Sequence, residues 1–143
     1  MSDADANKAQ VRRFSDALNA RDLDALEKIV VPDIQRYSPA TPDIRVRNFE
    51  ELCAFLETDA VTFPDNRVRV DTLVAEGDLV GFWAVYSGTQ TGPMGPFPPS
   101  GRRVEIEFSG LFRFEKGRIA EIKVLWDNVA LLTQLGHLTL AAP

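Results

Sequence analysis

The chain of 143 residues is poor in the groups that most often announce a chemistry. Its one cysteine, Cys53, excludes an internal disulfide. Cys53 sits among Leu52, Phe55 and Leu56 in a helical pattern, so a buried structural thiol is expected rather than a nucleophile, which needs a base and an exposed sulfur. The one histidine, His137, follows Gly136 in a C-terminal tail and has no second histidine or cysteine with which to build a conventional zinc site. A surface role is expected for it. No apolar run is long enough to cross a bilayer, and the first residues lack the basic and apolar zones of a secretory signal. The formal charge of −5 argues against a general affinity for nucleic acid or an anionic membrane. No glycine-rich lysine loop of the phosphate-binding kind is present. The cytoplasm is the expected compartment.

What is present suits one folded domain with a real hydrophobic core. Residues 1–5 read as a flexible leader, 6–136 as the domain and 137–143 as a tail. From Ala6 to Ala20, the residues Val11, Phe14 and Leu18 recur at helical spacing. Asp22 can cap a second short helix with Leu23, Leu26 and Ile29 inward, stopped by Pro32. An extended piece is expected around Ile34 to Tyr37, then a third helix from Asn48 to about Thr58. Pro64, Asp65 and Asn66 mark a turn. Strands dominate afterwards. Val68, Val70, Thr72 and Val74 alternate with Arg67, Arg69 and Asp71, and Gly77-Asp78 joins that strand to Leu79–Gln90. Gly92 to Gly101 should be a long exposed connection. Two further strands, Arg103–Phe114 and Arg118–Trp126, meet at Lys116-Gly117, and a short apolar helix closes the domain.

Several polar and aromatic residues stand out. Asp127 follows Trp126 at a strand–helix junction, where it can act as a general acid or base, cap the helix near Val129, or sit in a solvated turn. Strict alternation sends Trp126 and Asp127 to opposite sides. Arg113 lies just before a turn, from where it can reach an anionic ligand, Asp127 or a surface partner. Tyr37 can pack its ring inward and still present a hydroxyl to a ligand. Trp83 and Tyr86 fall on opposite sides of an ideal strand, so both line one cavity only if the strand twists or bulges. Glu105 and Glu107 share a face that reads as solvated.

The order of elements carries a resemblance. Gly88-Thr89-Gln90-Thr91-Gly92, Pro98-Pro99-Ser100-Gly101-Arg102, the run Arg113 to Glu121, and Trp126-Asp127 followed by Leu132-Thr133-Gln134-Leu135-Gly136 form an ordered set. Ala20 to Leu26, Phe63-Pro64-Asp65 and Val74 to Asp78 add to it. In these the chain resembles the SnoaL-like polyketide cyclases of the NTF2-like superfamily, from Val11 to Gly136. The resemblance implies an α+β cone, a curved, mixed and mainly antiparallel sheet covered by three N-terminal helices. It implies cyclisation or isomerisation of a polyketide-like carbonyl intermediate without metal or organic cofactor. Asp127 would then be the acid/base and Arg113 its polar assistant, with Tyr37, Trp83, Gln90 and Trp126 on the substrate. Gln90 stands where many relatives show histidine after threonine, and glutamine cannot replace imidazole as a base. Ile122 stands where relatives often show histidine before an aromatic residue. A hydratase, an epoxide hydrolase and a noncatalytic small-ligand-binding domain are the alternatives on the same fold. The expected partners are a hydrophobic small-molecule substrate and a second copy of the chain, with no nucleic acid and no membrane.

Overall fold

Asp3 and Asp5 place two carboxylates in the first turn of helix α1, Asp3–Ala20, where they complement the positive end of the helix. The computed structural model describes residues 3–141. The helix therefore starts within the segment expected to be a leader; Met1 and Ser2 lie outside the described residues. Arg21 ends α1 in a left-handed conformation (φ 58°), and its guanidinium donates to Asn66 Oδ1 and to the Pro64 and Asn66 carbonyls. Those bonds hold the strained residue in place.

Asp22 accepts from the Ala25 N–H and caps α2, Leu23–Ile29. The chain turns straight into β1, Val30–Tyr37, which is longer than the sequence suggested and carries Pro32 at an irregular point in its pairing. A two-residue strand β2, Arg45–Val46, precedes α3, Phe49–Thr62. Asn48 caps α3, while the Glu51 carboxylate reaches back to the Arg47 N–H. Helix α3 runs to Thr62 rather than Thr58 because no breaker precedes Pro64. That extra turn brings Asp59 into the helix.

Strands β3 (Arg67–Glu76), β4 (Leu79–Thr89), β5 (Arg103–Glu115) and β6 (Arg118–Trp126) form a meander, and α4 (Asn128–Gln134) follows. The six strands make one sheet in the order β2-β1-β6-β5-β4-β3, antiparallel except for β1 beside β6. The result is the expected α+β cone, with α1, α2 and α3 on the concave side. Two irregularities set its faces. Between Val70 and Thr72 the register with β4 shifts, so Val68 and Val70 face inward while Thr72 and Val74 lie opposite Trp83 and Gly81 on the outer face. A second shift, beside Arg113 and Phe114, keeps Ile119 and Ile122 both on the inner side.

The core occupies one end of the cone. Val11, Phe14, Leu26 and Ile29 from the helices meet Ile34, Val80, Phe82, Phe112, Phe114 and Ile119 from the sheet. Phe112 sits at the centre, edge-on to Phe14 at 5.6 Å and tilted against Phe82 at 5.1 Å. A smaller cluster of Phe63, Val104, Leu131 and Leu135 seats α4.

The connection after β4 is tied down rather than loose. Thr91 and Gly92 both donate backbone N–H groups to the Thr62 carbonyl, and the Thr62 hydroxyl donates to Pro93. Any side chain at Gly92 would collide with the Val61 carbonyl, so only glycine allows this approach. His137 is likewise not a loose surface residue. Its Nε2 lies 2.7 Å from Gln90 Oε1, and its ring packs on Phe97 with centroids 5.0 Å apart.

Candidate active site

Towards the other end of the cone, the inward side chains change character. Tyr86 of β4, Phe108 of β5 and Trp126 of β6 face inward, and all three are only half-buried although helices lie over the sheet. Arg36 of β1 pairs with Ile122 and therefore faces the same side. Its guanidinium lies 4.0 Å over the Phe55 ring of α3. Inward residues at this end are less completely buried than those of the core. This is the open end.

Asp59 projects into it from the last turns of α3. Tyr86 Oη donates to Asp59 Oδ2 at 2.8 Å, and Asn66 Nδ2 reaches the same oxygen at 3.3 Å. Among the described residues, no donor takes Oδ1. Burial pushes the Asp59 carboxyl above its ordinary range, against the opposing pull of the Tyr86 hydrogen bond and the charges of Arg36 and Arg21. Burial also pushes the Arg36 guanidinium down to about 10, so it is still charged at neutral pH. The Tyr86 phenol is pushed up, first by burial and then by the Asp59 charge, and remains a proton donor to the carboxylate. Arg36 Nη1 is buried with no protein acceptor. A carboxyl with a raised value, a fixed phenol and an unpaired cation are the groups needed to take a proton from carbon and hold the resulting negative oxygen.

Trp126 is the expected site residue that the structure brings to this end. Its Nε1 donates to Asn128 Oδ1, and Asn128 Nδ2 donates to the Ala40 carbonyl, which fixes the ring and ties the β1–β2 connection to α4. The other expected residues lie elsewhere. Asp127 is exposed and caps α4, accepting from Val129 N–H at 2.8 Å and Ala130 N–H at 3.2 Å, which is the capping arrangement among the readings its position allowed. Arg113 lies on the outer face, bonded to Glu115 at 2.8 Å and 3.7 Å from Glu121, and does not reach Asp127. Its register partner Glu121 is five residues before Trp126, so about 17 Å of strand separates it from that end of β6.

Tyr37, next to Arg36 but of opposite parity, is outside as well. It stacks on Arg45 and lines an outer cleft of about 430 Å³ with Glu121 and Lys123. Trp83 is 48% exposed on the outer face beside Thr72, Val74 and Leu111. Gln90 is 0% exposed, and its amide donates to the Gly92 and Pro98 carbonyls while its oxygen meets His137. It is a structural pin for the loop. Cys53 is half-buried rather than in the core, and burial first, then Glu57, Glu27 and Glu50, pushes its thiol up and keeps it unreactive.

Arg36, Asp59 and Tyr86 were not among the expected site residues. Asp59 did leave a signal, because it continues the apolar stripe Leu52, Phe55, Leu56 one turn further, where a carboxylate is out of place.

Four helices with a six-stranded, mainly antiparallel curved sheet make an NTF2-like α+β fold. The chain matches the SnoaL-like polyketide cyclases over residues 8–135 and belongs to that family. Among solved structures it is similar to a candidate SnoaL-like polyketide cyclase from Jannaschia sp. CCS1, with 26% identity, a TM-score of 0.86 and 97% of each chain covered. It is 30% identical to TsrD from Streptomyces laurentii, with a TM-score of 0.83 over 96% of this chain and 100% of that one. It is also 30% identical to IdmH, a candidate polyketide cyclase from Streptomyces antibioticus, with a TM-score of 0.80 over 91% and 98% of the two chains. A comparison with curated proteins gives no match.

Proposed function

We propose that the protein closes or isomerises a polyketide-like carbonyl intermediate in the cytoplasm, without a cofactor, by acid/base catalysis at Asp59. The observation that carries this reading is the inward carboxyl of Asp59, raised by burial and held at Oδ2 by Tyr86, with no donor on Oδ1 among the described residues. In an aldol closure, Asp59 takes the acidic proton from a carbon between two carbonyls. The resulting enolate carbon attacks a second carbonyl of the same chain, forming the new C–C bond and leaving an alkoxide. Asp59 returns its proton to that oxygen. Arg36 offsets the negative charge as it moves from enolate to alkoxide. Trp126, Phe108 and Phe55 fold the substrate so that its two reacting carbons meet, which converts an entropic barrier into binding.

The family resemblance points instead to Asp127, and one pair of variants separates the two. Asp59→Asn and Asp127→Asn are compared for conversion of a synthetic poly-β-ketone, followed by mass spectrometry, with circular dichroism to check folding. Asp59→Asn should lose about two to four orders of magnitude in turnover, the scale of positioned proton transfer. Asp127→Asn should keep both its helix cap and its turnover, because asparagine caps as well as aspartate. The reverse pattern would move the chemistry to Asp127.

The second part of the proposal is a homodimer. Val74, Trp83, Leu111 and Leu125 leave the outer sheet face apolar at 68%, 48%, 44% and 56% exposure, more contiguous apolar surface than a sheet facing water normally keeps. A monodisperse monomer in light scattering across micromolar to millimolar protein would remove it.

A further inference from the structure

Arg36 feels the charge of Asp59 but is in close contact with no carboxylate. It takes part in none of the ion pairs among the described residues. Its Nη1 is sealed from water and bonded to nothing, while the face of the guanidinium rests on Phe55. Asp59 attracts it electrostatically but forms no ion pair or hydrogen bond with it, and its Oδ2 takes Tyr86 and Asn66 instead. A second buried donor, the Thr41 hydroxyl, is also without an acceptor, one residue from the Ala40 carbonyl that anchors Asn128 beside Trp126. With its face stacked, a guanidinium can bond only in its own plane, through a fork that matches two oxygens a short distance apart. A bare carbonyl substrate offers one such oxygen at a time. The ionised enol of a 1,3-dicarbonyl offers two oxygens sharing one charge.

We propose that Arg36 selects substrates carrying an anion shared by two neighbouring oxygens, a 1,3-dicarbonyl held as its enolate, and docks that anion beside Asp59. This deepens the reading of the site given above and rests on it. The close anionic contact that Arg36 lacks is then supplied by the substrate itself. The docked unit has already lost the proton between its own two carbonyls, so it sets which neighbouring methylene of the poly-β-ketone chain faces Asp59, and Arg36 thereby determines where along the chain the next proton is taken.

The test is a binding measurement, independent of turnover. The probe is 2-acetylcyclohexane-1,3-dione, ionised at neutral pH with two oxygens side by side, titrated by NMR against its neutral methyl enol ether and against cyclohexanecarboxylate. The diketone anion should bind wild-type protein at least about tenfold more tightly than the ether, the scale of one charge-assisted bond. Arg36→Gln should abolish that preference. Arg36→Lys, which keeps the charge but loses the fork, should retain only part of it and guards against misfolding of the glutamine variant. Tighter binding of cyclohexanecarboxylate than of the diketone would replace the enolate by a carboxylate as the group recognised and overturn the assignment. Equal binding of anion and ether, or an unchanged preference in Arg36→Gln, would overturn it too. Asp59→Asn should keep the preference for the anion, since it removes a like charge. If that variant also keeps its turnover, the acid/base role of Asp59 falls while anion selection by Arg36 stands.

Discussion

The two ends of the cone share one sheet face and are built on opposite principles. At the closed end Phe14, Phe82 and Phe112 interlock with aliphatic side chains from α1, α2 and β1, and apolar groups dominate, with Asn7 and Ser15 of α1 buried beside them. At the open end the same strands present Tyr86, Phe108 and Trp126, a guanidinium lies on Phe55, and a carboxylate is withdrawn from water. The closed end lowers the free energy of the fold by removing apolar area from water. The open end does the opposite locally, because a buried carboxyl and an unpaired cation both cost desolvation. The comparison separates stability from chemistry along one axis of a small protein.

The strongest way to break that contrast is to disturb the open end. Asp59→Asn should lower turnover of a poly-β-ketone by about two to four orders of magnitude while the circular dichroism spectrum stays unchanged. A loss of fold instead would mean that Asp59 belongs with the structural residues. Next in size is the closed end. Phe112→Ala should destabilise the protein by about 3–5 kcal/mol in denaturant unfolding, since the enclosed site cannot collapse around the lost ring. A cost below 1 kcal/mol would show that this end is not the tight core described.

The outer face supplies the third prediction. Trp83→Arg should weaken dimerisation by about 2 kcal/mol or more, roughly thirtyfold in dissociation constant, as expected for an interface tryptophan. Sedimentation or light scattering across a concentration series reads it, and an unchanged constant removes Trp83 from any interface.

A smaller effect concerns pH. The Asp59 carboxyl lies above its ordinary 3.8 in the folded protein, so the folded chain holds this proton more tightly than the unfolded one. Its ionisation therefore costs stability at a pH above the folded value, and the cost fades as the pH falls through that value towards 3.8. Asp59→Asn should melt at a higher temperature than wild type at pH 7, with the difference shrinking on acidification. A lower melting temperature at pH 7 would show that the hydrogen bonds from Tyr86 and Asn66 outweigh burial. Smallest of all, Asp127→Asn should change unfolding free energy by less than about 0.5 kcal/mol, because the α4 cap survives.

Local periodicity determined much of the architecture. The stripe Val11, Phe14, Leu18, the cap residues Asp22 and Asn48, the turn at Lys116-Gly117 and the inward parity of Val104 to Phe114 follow from side-chain spacing and from which residues tolerate a cap or turn. These depend on neighbours in the chain, so the chain reveals them. Spacing also showed that Trp83 and Tyr86 face opposite ways, and that Trp126 and Asp127 do. It could not say which of each pair faces inward, because parity separates two faces without labelling them. That label came from the register with neighbouring strands. The shift near Asp71 turned Thr72 and Val74 outward, where simple alternation had kept them with Val68 and Val70. Pairing with β6 turned Arg36 inward and Tyr37 outward. The open end needed the most from tertiary structure. Arg36, Asp59 and Tyr86 come from a strand, a helix and another strand far apart in sequence, and each is an ordinary residue in its own segment. Only the curvature of the sheet beneath α3 brings them together, and burial between those layers gives Asp59 and Arg36 the altered proton affinities that no local pattern encodes.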